Sequence, residues 1–130
     1  MSAPAIRMMR VTLHAARSRE FPDGSIRHGY EFIAPLDTDG RIDLESWKER
    51  RRECFALRFW GDEKRLKGVI AHVAGGPRGS SWAFEWDQGG EGEEQGYRFG
   101  EHAFAVGEYV SVRELDGELL TFRVASVTPR

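Results

Sequence analysis

Residues 104–127 read Phe104-Ala-Val-Gly-Glu-Tyr-Val-Ser-Val-Arg-Glu-Leu-Asp-Gly-Glu-Leu-Leu-Thr-Phe-Arg-Val-Ala-Ser-Val127. Two runs rich in β-forming residues, Tyr109–Arg113 and Leu119–Val127, flank Leu115-Asp116-Gly117. Asp-Gly between such runs is a strong short-range hairpin signal. A two-residue loop at Asp116-Gly117 would set Val112 opposite Thr121 and Val110 opposite Arg123, mixing polar groups among the valines. A three-residue loop with Gly117 in the left-handed conformation instead sets Val112 opposite Leu120 and Val110 opposite Phe122. Because side chains alternate, the one-residue difference decides which set is buried, and the three-residue loop is the better choice. It places Glu114 opposite Glu118, a like-charge pair at an exposed turn. Tyr109, Ser111, Arg113, Leu119, Thr121 and Arg123 then share the outer face.

The same alternation recurs upstream. Met9, Val11, Leu13 and Ala15 form one face of a strand, with Arg10, Thr12 and His14 on the other. Phe21-Pro22-Asp23-Gly24 is a turn, and a second strand runs from Ile26 to Leu36. On it Ile26, His28, Tyr30 and Phe32 share a face, and the two strands form a hairpin. Phe55–Trp60 and Leu66–Ala74 are further strands, the latter central. A four-residue turn at Gly61–Lys64 would pair Phe59 with Leu66 and Phe55 with Ile70 as one apolar face. Trp82, Phe84 and Trp86 alternate along the next strand, after a connection at Gly75–Gly79. A strand or bent lead-in is expected near Ala103–Val106.

The pattern calls for a helix only at Leu44–Glu53. Asp43 is its N-cap, Ile42 and Trp47 occupy the hydrophobic-staple positions, and Arg50-Arg51-Arg52 complement the dipole in its last turn. Together these elements predict a mainly β protein: one domain, residues 1–130, forming a small antiparallel barrel or sandwich of about six to eight strands with one short α-helix.

Composition narrows the function classes. A net charge of −2 supplies no global field for nucleic acid. The single Cys54 permits neither an intramolecular disulfide nor a cysteine-based zinc cluster. No apolar run approaches the ~20 residues that span a bilayer, and residues 1–10 do not read as a signal peptide. A cytoplasmic location is the expectation. Lys48–Lys67 carries a local charge of +4 and Glu85–Glu94 one of −5, so the two segments could meet within or between chains.

The candidate ligand-binding residues are Trp82, Phe84, Trp86 and His72, with His28 and Tyr30. Aromatic walls with a few convergent polar groups make a ligand pocket, although three alternating aromatics equally make a core. The acidic, glycine-rich run 87–96 would gate such a pocket. Arg78, Ser80 and Ser81 form a candidate anion site, since loop amides, an arginine and hydroxyls can cradle a phosphate. The lysine and following helix of a phosphate-binding loop are missing there, which favours a plain hairpin connection.

The residues 106–112 and 122–126 resemble one hairpin of the flavin-binding reductase barrels. That family's Arg-x-Tyr-Ser flavin motif is replaced here by Thr121-Phe122-Arg123-Val124, so the resemblance implies a barrel hairpin and no flavin. No motif names a cofactor or a metal. The expectation is a small, soluble, non-catalytic binding or interaction module, its partner an unknown small molecule, a protein or a second copy of the chain. The alternative is a small enzyme or metal-binding barrel in which His28 and His72 act together near neutral pH.

Overall fold

The computed structural model describes residues 5–76, 79–87, 98–99, 102–114 and 117–130. Within them lie eight strands: β1 Arg7–Ala15, β2 Ser25–Leu36, β3 Phe55–Trp60, β4 Leu66–Gly76, β5 Gly79–Trp86, β6 Arg98–Phe99, β7 Tyr109–Arg113 and β8 Leu119–Pro129. Each pairs antiparallel with the next, and β8 returns to β1, closing a barrel. Closure gives strand partners to edges that an open sheet would expose. A helix, α1 (Leu44–Arg50), and a 3-10 turn (Arg51–Glu53) lie between β2 and β3. No helix among the described residues is long and apolar enough to cross a membrane.

The C-terminal hairpin has the register the valines demand. Val110 pairs with Phe122 and Val112 with Leu120, and all but Leu120 are buried. The turn closes with Gly117 N–H donating to the Glu114 carbonyl at 2.9 Å and Glu114 N–H to the Glu118 carbonyl at 2.8 Å. Gly117 has φ of 88°, the left-handed conformation that a residue with a Cβ adopts only at a cost. Val11, Leu13 and Ala15 of β1 face the interior, as do Tyr30, Phe32, Ala34 and Leu36 of β2. Ile26, on the same parity as Tyr30, lies beyond the barrel wall and is 76% exposed.

Asp43 caps α1: its carboxylate accepts from the Ser46 N–H at 3.0 Å. Ile42 and Trp47 are buried together in the core, and the Trp47 indole N–H donates to the Ile70 carbonyl at 3.1 Å. The α-helix ends at Arg50, and the last residues tighten into the 3-10 turn. Cys54 packs just behind that turn, and burial pushes its thiol up to about 11.

Two expected features are corrected. β3 pairs Phe55 with Val69 and Arg58 with Leu66, one residue away from the anticipated Phe59–Leu66 register. Ala56 is therefore buried, while Phe55 points outward, 52% exposed. That slip exchanges the two faces of the strand. It is tolerated because Arg58, turned inward, meets a buried carboxylate described below. The second correction concerns Ala103–Val106, which is not a strand. Phe104 anchors this irregular stretch by burying its ring and donating its N–H to the Gly40 carbonyl at 2.8 Å. The strand preceding it is the two-residue β6.

Candidate functional site

Trp82, Phe84 and Trp86 alternate inward as expected, and all three are buried. Tyr30 stacks on Phe84, with centroids 4.7 Å apart and planes 11° apart, and lies parallel to Trp86 at 6.1 Å. Phe122 meets Tyr30 edge-on at 5.1 Å. These offset and edge-to-face contacts are those that ring quadrupoles favour. The stripe is thus packed core, not an open wall.

His28 and His72 are not brought together. His28 accepts or donates a 2.7 Å hydrogen bond with Ser25 Oγ and packs against Phe21 and Trp60. It pairs with Trp60, next to the β3–β4 turn. His72 packs against Trp47 and Trp82 and lies six residues along β4 from Leu66, where that turn ends. At 3.3 Å per residue this separates the imidazoles by about 20 Å, far beyond a hydrogen bond or a single water. They share no ring neighbour. Among the described residues, no three His, Cys, Asp or Glu side chains converge as a metal-ligand set. Arg78 and the side chains of Ser80 and Ser81 lie outside the described residues, as does the run 88–97. The backbone around them is a hairpin, with Gly76 pairing Gly79.

A polar trio inside the barrel escaped the sequence reading. Arg58 Nη2 donates to Glu114 Oε1 at 3.0 Å, with only 12% and 9% of the two side chains exposed. The Tyr30 hydroxyl donates to Glu114 Oε2. Arg58 also lies 4.1 Å above the Trp60 ring, a cation–π contact. Burial, reinforced by the neighbouring Glu114 charge, raises the Tyr30 phenol well above its ordinary range. Burial alone would lower the Arg58 guanidinium, but Tyr30 and Glu114 outweigh it and hold it more firmly protonated. Glu114 does face Glu118 across the end of the hairpin, its N–H donating to the Glu118 carbonyl, but its side chain turns inward and ties the end of β7 to β2 and β3. Its partners are 84 and 56 residues away, so no local pattern signals them.

Concavity is found on the outside of the barrel. A groove of about 740 Å³ lies over β1, β7 and β8, lined by residues that include His14, Arg17, Ile26, Tyr109, Thr121 and Arg123. Two irregularities in pairing shape it. Between Thr12 and Leu13 the β8 partner skips from Ser126 to Val124, leaving Ala125 as a bulge. Between His14 and Ala15 the β2 partner jumps from Gly29 to Ser25. Residues 26–28 therefore peel from β1 towards β3, where His28 pairs with Trp60 and Gly61 N–H donates to the Arg27 carbonyl. Small residues line the resulting hollow: Ala16, Gly24, Gly107 and Ala125. Gly107, at φ of 92°, donates its N–H to the Val124 carbonyl, and a Cβ added there would lie 3.8 Å from Arg123 Nη2.

The registers fix one row across the groove. His14 of β1 and Tyr109 of β7 both pair with Arg123 of β8. Partial burial lowers the His14 imidazole below its usual range. The walls are apolar as well as charged, since Ile26 is 76% and Tyr109 62% exposed. Among the described lining residues, Asp23 is the one carboxylate. Sequence parity did assign Tyr109, Thr121 and Arg123 to one outer face, but the bulges that hollow that face leave no periodic trace.

No family model, curated protein or solved structure matches the chain.

Proposed function

We propose that this chain is a small, non-catalytic binding module and that its ligand occupies the outer groove. One observation carries the proposal: a hollow of about 740 Å³ whose lining combines exposed apolar walls with convergent cationic and hydroxyl groups. Volumes of about 300–1,000 Å³ with a few placed polar groups are typical of small-molecule sites. A small molecule, rather than a protein or a second copy, is the partner in this proposal. The aromatic stripe contributes indirectly, as the packed interior that holds β1, β7 and β8 in place. A reducing, cytoplasmic setting belongs to the same proposal, supported by the buried free thiol of Cys54.

The test is a thermal-shift screen with small organic molecules on the native chain and on Ala16→Trp, which fills the groove from its floor. A ligand of the native state raises the melting temperature as its concentration rises. The expected hits stabilise the native chain and lose that effect in the variant. Hits that stabilise both proteins equally would show binding elsewhere and overturn the proposal.

A further inference from the structure

We infer that the groove takes an organic carboxylate carried on a flat apolar body. This rests on the groove being the binding site and adds the chemical class of its ligand.

The row His14–Arg123–Tyr109 is the centre of the inference. Neighbouring strands lie about 4.8 Å apart, so outward side chains at paired positions stand side by side. Arg123 is thereby flanked by an imidazole and a phenol, with Thr121 two residues along β8 on the same face. A guanidinium offers a planar fork of donors that matches both oxygens of a carboxylate. Among the described residues, no carboxylate lies within ion-pair distance of Arg123 or of Arg17 at the groove margin. Both therefore keep donors for an incoming anion. Arg10, Arg27 and Arg130, by contrast, are already matched by Glu31, Asp62 and Glu53.

The apolar half of the ligand follows from the walls. Ile26 and Tyr109 are among the most exposed large hydrophobic residues described, and both face the same hollow as the arginines. A bare inorganic anion would leave them in water. A flat ring system lying over the Ala16–Ala125–Gly107 floor would cover them and could stack on Tyr109. A polyanion such as a nucleic acid fits less well. Asp23 lines the groove, and the chain as a whole is acidic.

The experiment is isothermal titration of the full chain with 1-naphthoate, 1-naphthalenemethanol and inorganic phosphate. The native protein is expected to bind naphthoate at least tenfold more tightly than the neutral alcohol, with no saturable binding of phosphate at millimolar concentration. Arg123→Gln, at an exposed position, should abolish the preference for naphthoate while leaving the affinity for the alcohol unchanged. Tyr109→Ser should weaken both naphthalenes together. Equal affinity for naphthoate and alcohol would overturn the carboxylate inference, as would a preference that survives in the Arg17→Gln/Arg123→Gln double variant. Either result leaves groove binding standing. Phosphate binding as tight as naphthoate would overturn the apolar half. If neither naphthalene binds, the inference falls, while the binding proposal is decided separately by the thermal-shift screen.

Discussion

Removing Glu114 should be among the most damaging single side-chain losses available in this barrel. The Glu114→Ala variant leaves Arg58 as a cation with only 12% of its side chain exposed, and leaves the Tyr30 hydroxyl without its acceptor. Breaking one side of a buried ion pair typically costs about 3–5 kcal/mol, because the surviving charge stays desolvated. Unfolding entropy near 60 °C is about 2.1 cal/mol/K per residue, so for 130 residues that loss lowers Tm by about 11–18 °C. Glu114→Gln keeps the shape and should cost about as much, since the amide cannot neutralise the guanidinium. The triple variant Tyr30→Phe/Arg58→Met/Glu114→Leu removes all the polar groups of the trio together. It should recover more than half of the lost stability, since well-packed apolar replacements of buried ion pairs are often neutral or better. Urea unfolding followed by tryptophan fluorescence measures all three. A loss below about 1 kcal/mol for Glu114→Ala would refute the claim that Arg58 is held inside by this carboxylate, as that is the range of an exposed pair.

Three further outcomes are expected. Gly68→Ala should cost about 3 kcal/mol or more, because its Cβ would sit 1.8 Å from the Glu85 carbonyl oxygen, backbone that cannot step aside; Gly117→Ala, strained at φ of 88° but in open space, should cost about 1 kcal/mol. Equal urea midpoints for the two variants would contradict the close β4–β5 approach. In an alkaline titration followed at 295 nm, one of the three tyrosines should ionise well above the ordinary range, and Tyr30→Phe should remove that late step. Burial lowers the folded-state pKa of His14 and His102, so the unfolded chain binds more protons at mildly acidic pH. Stability from this source is present above the unfolded value near 6.5 and is lost as pH falls through it towards the folded values. The urea midpoint should therefore drop between pH 7.5 and 5.5, and less so in His14→Asn/His102→Gln; a midpoint that rises on acidification would contradict the burial of both rings.

What the sequence disclosed follows from what strands must bury. Val110, Val112, Phe122 and Val124 alternate without a polar interruption, so only one register of the C-terminal hairpin buries them all. Asp43 and the Ile42–Trp47 pair mark the helix start through local chemistry alone. Legibility failed where a distant residue overrode the local pattern. Phe55 and Phe59 look like the core face of β3 until Glu114, 56 residues from Arg58, gives an arginine reason to face inward. The two-residue β6 is too short to show any period. The groove was hidden for a related reason: its shape comes from a bulged Ala125 and from residues 26–28 leaving β1, neither of which has a compositional signature. The residues first suspected of binding are aromatic because the interior needs volume. The outer groove is lined by small residues and arginines beside the exposed Ile26 and Tyr109.

The central claim is that ligand meets the outside of this barrel and leaves its aromatic interior undisturbed. The most direct measurement is a two-dimensional ¹H–¹⁵N spectrum of the labelled chain titrated with 1-naphthoate. The account predicts shifts at the amides of His14, Ala16, Gly107, Tyr109 and Arg123, with the indole signals of Trp82 and Trp86 fixed. Movement of those two indole signals while the groove amides stay still would contradict it.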